Sequence, residues 1–127
     1  MTLVELAIVL AIVAILVMLA VPGYQTYMLR VHRGEAVRLL LQTAMCQERV
    51  HAENGIYDTG LCVAGAEKKR YRLGYRDPDT QGQTYTAVAI PTGPQKADSC
   101  GTLFLDQSGY RGISAADASI TGCWNGR

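Results

Sequence analysis

Met1-Thr-Leu-Val-Glu5-Leu-Ala-Ile-Val-Leu10-Ala-Ile-Val-Ala-Ile15-Leu-Val-Met-Leu-Ala20-Val-Pro22-Gly23-Tyr24 decides the fold, and the rest of the chain is organised around it. From Leu6 to Val21 there is no charge, no Gly and no Pro, only Leu, Ile, Val, Ala and Met. As a helix rising about 1.5 Å per residue, such a run crosses most of a bilayer's hydrocarbon core. Its single ionisable side chain is Glu5. A carboxylate so close to hydrocarbon is costly and is usually kept for a function. The plain alternative is an acid that snorkels to the membrane surface and contributes nothing.

A secretory signal would need a basic region before the apolar run and a small-residue cleavage site after it. No Lys or Arg precedes Arg30, and the run ends in Val21-Pro22-Gly23-Tyr24. A plain membrane anchor fits the length but not the charges, because Arg30 and Arg33 follow the span and positive residues tend to remain cytoplasmic. The cysteines ask for the opposite side. Cys46, Cys62, Cys100 and Cys123 form an even set with no Cys-x-x-Cys, and His32 and His51 are not spaced to join them as zinc ligands. Disulfides are therefore preferred over a metal, with three connectivities open, and they place this part of the chain outside the cytoplasm. The conflict disappears if a short basic leader once preceded Met1 and was removed.

The 127 residues leave room for one small domain beyond the stem, and the formal net charge of +1 by itself calls for no acidic partner. Beyond Tyr24 the chain turns amphipathic: Val37, Leu40, Leu41, Ala44 and Met45 fall on one helical face, with Arg38, Gln42 and Arg49 on the polar side. One helix is expected from about Thr2 to about Glu53, near 78 Å long, ended by Asn54-Gly55. Pro22 and Gly23 should kink or locally melt it. A loop follows over 56–68. Tyr71, Leu73 and Tyr75 alternate with Arg70, Arg72 and Arg76 as a strand, and 77–82 is a hairpin loop. A second strand is expected over 83–90, stopped by Pro91 and Pro94, and a third over 101–106 with Leu103 and Leu105 on one face. The tail to Arg127 reads as mostly irregular. The fold class is α+β: a long N-terminal helix laid against a small antiparallel sheet.

Thr2-Leu3-Val4-Glu5-Leu6, the apolar span, Pro22, Tyr24, Tyr27 and the basic residues beyond resemble the N-terminus of type IV pilins. Cys100-Gly101, Gly109-x-Arg111-Gly112 and Cys123-Trp124 resemble the tail of that family's proteobacterial (type IVa) subgroup. Met1 is a departure, since the first mature residue there is most often Phe. The resemblance implies a mature chain cut by a leader peptidase and N-methylated at Met1. It implies a transmembrane and filament-core helix over 1–28, and a globular head over 29–127. Met1, Glu5 and Pro22 become assembly residues, with Glu5 meeting the amino terminus of a neighbouring copy. It also implies the pairs Cys46–Cys62 and Cys100–Cys123, each worth about 3 kcal/mol in the chain-entropy model. Partners would be other copies in a helical filament, the inner membrane before assembly, the prepilin peptidase and the assembly machinery with its cytoplasmic ATPases. The filament, a fimbrium outside the cell, would serve adhesion, twitching or DNA uptake.

Lys68-Lys69-Arg70-Tyr71-Arg72 with Arg76 is the candidate DNA or surface contact, cations interleaved with stacking rings. A solvated strand face explains the alternation more simply. The DNA reading persists because some minor pilins of the family bind DNA. A type II secretion pseudopilin shares the N-terminal motif, but its major form usually has a calcium site and lacks the C-terminal disulfide. No His-Glu-x-x-His, Gly-x-Ser-x-Gly or Gly-rich phosphate loop occurs, so neither enzyme activity nor a cofactor is expected.

Overall fold

In the computed structural model, which describes residues 1–63 and 70–126, the first helix, α1, runs Leu3–Asn54 over 52 residues. Its start is set by a capping box. Thr2 Oγ1 accepts from the Glu5 N–H at 3.3 Å, and Glu5 Oε2 accepts from the Thr2 N–H at 3.4 Å, so two otherwise orphaned donors are satisfied. Its end is set by Gly55, whose φ of 77° only glycine adopts cheaply, and whose N–H donates to the His51 carbonyl at 2.7 Å. The helix is unbroken at Pro22; no local melting appears there in the single chain. Pro22 still lacks a donor for the Met18 carbonyl, and Thr26 Oγ1 caps the Pro22 carbonyl at 3.1 Å.

Four strands follow as an antiparallel meander, in the order β1 (Tyr71–Tyr75), β2 (Thr86–Pro91), β3 (Leu103–Asp106) and β4 (Arg111–Ile113). Leu73 pairs with Ala89, Ala89 with Leu103, and Leu103 with Ile113, so one face of the sheet is a row of apolar side chains against α1. β2 starts later than expected because the N–H groups of Gln83 and Thr84 donate to Asp79 Oδ2, at 2.8 and 3.1 Å, rather than to a strand. β2 does end at Pro91, with the proline itself as last residue, opposite Tyr71 and beyond the last pair with β3, where a missing N–H costs little. The hairpin loop docks on the loop after α1 through the Tyr57 N–H, which donates to the Gly82 carbonyl at 2.8 Å. A Cβ on Gly82 would lie 2.7 Å from the Tyr57 carbonyl oxygen, so the contact requires glycine.

The tail is mostly irregular, as expected, but two short elements interrupt it. It carries β4 and a short helix, α2 (Ile120–Trp124), capped by Ser119. β4 is too short to show alternation, and its Gly112 lies directly under the Phe104 ring. Trp124 Nε1 donates to the Gly112 carbonyl at 3.2 Å and fastens α2 to that strand. The disulfides are Cys46–Cys62, tying α1 to the loop after it, and Cys100–Cys123, tying the start of β3 to α2.

The face of α1 turned to the sheet differs from the apolar stripe expected. Ala36, Leu39, Leu40, Thr43 and Gln47 are buried, with Arg33 below them, while Leu41 is 37% and Met45 71% exposed. The reason is polar chemistry that an apolar count misses. Gln47 Nε2 donates to the Asp58 carbonyl at 2.6 Å and to Tyr75 Oη at 2.6 Å, and its Oε1 accepts from the Asp58 N–H at 3.1 Å. Lower down, Arg33 Nη1 meets Asp98 Oδ1 at 2.6 Å, and Asp98 also accepts from Tyr71 Oη, Gln95 Nε2 and the Cys100 N–H. Gln95 Nε2 reaches the Leu29 carbonyl as well, at 2.9 Å, which pins the 3₁₀ helix Gly93–Ala97 to α1. Burial, then the Asp98 charge, pushes the Tyr71 phenol above the ordinary tyrosine range, so it stays a hydrogen-bond donor.

Candidate functional site: an exposed stem and a basic strand face

Residues 1–27 are exposed throughout, and the head reaches them at Tyr24, Gln25 and Thr26, which share grooves with it. A helix that is apolar all round and unburied is out of place in water, since its apolar surface calls for lipid or other helices. Its 18-residue window of mean hydropathy 3.1 is that of a membrane-spanning segment by length and composition. Glu5 is the one carboxylate on it, engaged here only in the capping box. The ion pairs among the described residues, Arg33–Asp98 and His32–Glu35, leave it out. Met1 and Pro22 are exposed on the same stem.

The basic run is not brought together as one patch. Lys68 and Lys69 lie outside the described residues. Arg70 is half-buried and turns toward the stem, where it lines a groove of about 530 Å³ with Tyr24, Gln25, Met28, Pro94 and Ala97. Arg72 and Arg76 are exposed. The Arg76 guanidinium lies 5.0 Å over the centre of the Phe104 ring, and the Tyr110 ring is 6.5 Å from Phe104. Arg72 and Phe104 are on the sheet face opposite α1, because their strand neighbours Tyr71, Leu73, Leu103 and Leu105 point into the core. Phe104 escaped sequence reasoning. Its only signal is a large ring between Leu103 and Leu105 at the outward position of β3.

His51 stacks on Tyr57 at 4.4 Å, and Tyr57 meets Tyr85 edge-on at 4.9 Å, which closes the upper end of the head around aromatic contacts. Among the described residues no group of three or more His, Cys, Asp or Glu is placed to hold a metal ion. What the arrangement offers is surface: a long apolar stem below and a cation-on-ring face on the outside of the sheet.

A single long helix, half bare and apolar, half packed under a disulfide-closed antiparallel sheet, defines the pilin class. The chain belongs to the type IV pilins: the model of the family described as type IV minor pilin ComP, DNA uptake sequence receptor, matches residues 22–104. A solved type IV pilin from Shewanella oneidensis is 30% identical, covers 72% of this chain and 98% of its own length, and superposes with a TM-score of 0.60. The non-core minor pilin PilV of Neisseria meningitidis shares the fold at 21% identity, over 75% of this chain and 95% of its own, with a TM-score of 0.59. No curated protein matches the chain. As a type IV pilin it is a subunit of a pilus built with other pilins, and family and fold alike are structural.

Proposed function

We propose that this pilin assembles through residues 1–28 while residues 29–127 tile the outside of the filament, and that it catalyses nothing itself. The observation that carries this is the bare apolar stem with its lone carboxylate. Before assembly the stem is held in the inner membrane, after a prepilin peptidase has removed a leader and N-methylated Met1. On assembly it exchanges lipid contacts for other stems. There the Met1 amine of a neighbouring copy supplies the opposite charge that Glu5 needs once water is excluded. Force for twitching or DNA uptake comes from the cytoplasmic machinery. Imaging filaments sheared from the producing cell, and finding this chain in them with oxidised cysteines, tests the reading. Filaments that lack it altogether would refute it.

Within such a filament the stem should not keep its present regularity. Pro22 leaves one carbonyl undonated and Gly23 adds backbone freedom, so a segment between Ala14 and Gly23 should lose helix and lengthen the stem. A filament map with regular helical hydrogen bonds throughout 10–27 would contradict this.

A second reading, that the subunit also receives DNA, is favoured by the description of the family that matches and by the outward face carrying Arg72 and Arg76. The Arg76 guanidinium is placed over the Phe104 ring on this exposed face, where it can donate to phosphate. Filter binding of the full chain in neutral detergent to duplex DNA should show affinity falling steeply with salt. Replacing both arginines by Gln should flatten the slope of log K against log salt by about 2. Absence of binding at low salt would leave the building-block role alone.

A further inference from the structure

We infer that the groove at the junction of stem and head is a seat for the phosphate of an anionic phospholipid headgroup, occupied while the subunit waits in the membrane. The inference rests on the reading that the stem spans a bilayer. About 20 helical residues cross the hydrocarbon, which takes the span from Leu3 to Pro22. The next five or so, at about 1.5 Å each, cross a headgroup layer some 5–8 Å deep. Those residues are Gly23 to Tyr27, and at their level the head comes down onto the stem.

The groove there takes Tyr24, Gln25 and Met28 from α1, and Arg70, Pro94 and Ala97 from the head. One wall is apolar, as the upper acyl region requires, and Arg70 is the only charge among the described residues that line it. No hydrogen bond or ion pair within the described residues engages the Arg70 side chain. No carboxylate among the described residues lines the groove. Asp98, which follows Ala97 of the groove wall, is buried and occupied by Arg33, Tyr71, Gln95 and the Cys100 N–H. Lys96 is exposed on the 3₁₀ helix, between Pro94 and Ala97 of the groove wall. Arg30 is exposed a turn above, beside Thr26 and Ser99 in an adjoining hollow. Tyr24 and Tyr27 are 65% and 63% exposed, amphipathic rings at the depth where a membrane protein carries its aromatic belt. A cation collar, an apolar wall and two interfacial tyrosines at one depth fit a phospholipid better than a free anion, which has no use for the wall. The long guanidinium can donate to two phosphate oxygens at once.

The test is retention of lipid by the full chain. Protein purified in neutral detergent micelles holding equal amounts of phosphatidylcholine and phosphatidylglycerol is analysed by native mass spectrometry. The parent chain should keep phosphatidylglycerol in preference. Arg70→Gln should reduce that retention about fivefold, the effect of one basic residue at an anionic surface. Lys96→Gln, on an exposed position that folding does not need, should reduce it comparably, and Arg49→Gln, far up the helix, should not. Equal retention of the two lipids by the parent, or parent-like retention in both Arg70→Gln and Lys96→Gln, overturns the seat. Flotation with vesicles separates the two levels of the argument. A chain that fails to float overturns the membrane reading and the seat together, whereas one that floats but shows no dependence on Arg70 or Lys96 overturns the seat alone.

Discussion

Replacing Asp98 by Ala should lower the urea midpoint of the folded head by roughly 2 M, the largest stability loss of any single polar substitution in it. The side chain is buried and accepts from four groups: Arg33 Nη1 at 2.6 Å, Gln95 Nε2 at 3.0 Å, the Cys100 N–H at 3.1 Å and Tyr71 Oη at 3.2 Å. Truncation leaves the Arg33 guanidinium in the interior without that carboxylate. Breaking a buried pair from one side costs about 3–5 kcal/mol. With a denaturant slope of about 1–3 kcal/mol per M for a domain of this size, a shift of that order follows. Trp124, the single tryptophan, sits in the same core and reports unfolding by fluorescence. Asp106→Ala is the contrast. It also removes a three-bond acceptor, for Ser108 N–H and Oγ and the Tyr110 N–H, but only at the solvated β3–β4 turn. Equal midpoints for the two variants would show that the Asp98 cluster does not hold the head together.

The long helix was legible from end to end because its signals are local. The apolar run has no competing pattern, Thr2 and Glu5 sit at capping-box spacing, and Gly55 supplies the left-handed stop. The inward alternation of Tyr71 and Leu73, and of Leu103 and Leu105, was equally plain. What could not be read is what depends on partners distant in sequence. The side of α1 that meets the sheet is chosen by Gln47 and Arg33, whose partners lie 11 to 65 positions away. Counting apolar residues therefore pointed partly to Leu41 and Met45, which stay exposed. The two short elements in the mostly irregular tail were missed because β4 depends on pairing with β3, and α2 on one indole hydrogen bond and one disulfide, none of which has a local signal. The basic run looked like one surface because strand alternation was extended back to Arg70, which precedes β1 and turns to the stem.

Glu5 is where the assembly account is most exposed to failure. Replacing it by Ala should abolish filaments and leave the head folded and oxidised, since among the described residues its side chain hydrogen-bonds only to Thr2, far from the sheet and the disulfides. Removing the charge should hold the stem in the membrane as well as before, or better. The loss in the polymer comes from a Met1 amine with no counter-charge among packed apolar stems, a cost of several kcal/mol, on the order of 3–5. The capping box offers a competing explanation, because Glu5 also satisfies the Thr2 N–H, and a lost cap alone costs about 1 kcal/mol. Glu5→Gln separates them. Its amide oxygen can still accept from Thr2, but it carries no charge to pair with an amine.

The deciding measurement is the yield of sheared filaments from cells carrying Glu5→Gln, with membrane-held, oxidised subunit quantified in the same cells. Assembly by charge pairing predicts normal subunit and no filaments. Filaments at the parental yield would contradict it, and would leave Glu5 as nothing more than the cap of its own helix.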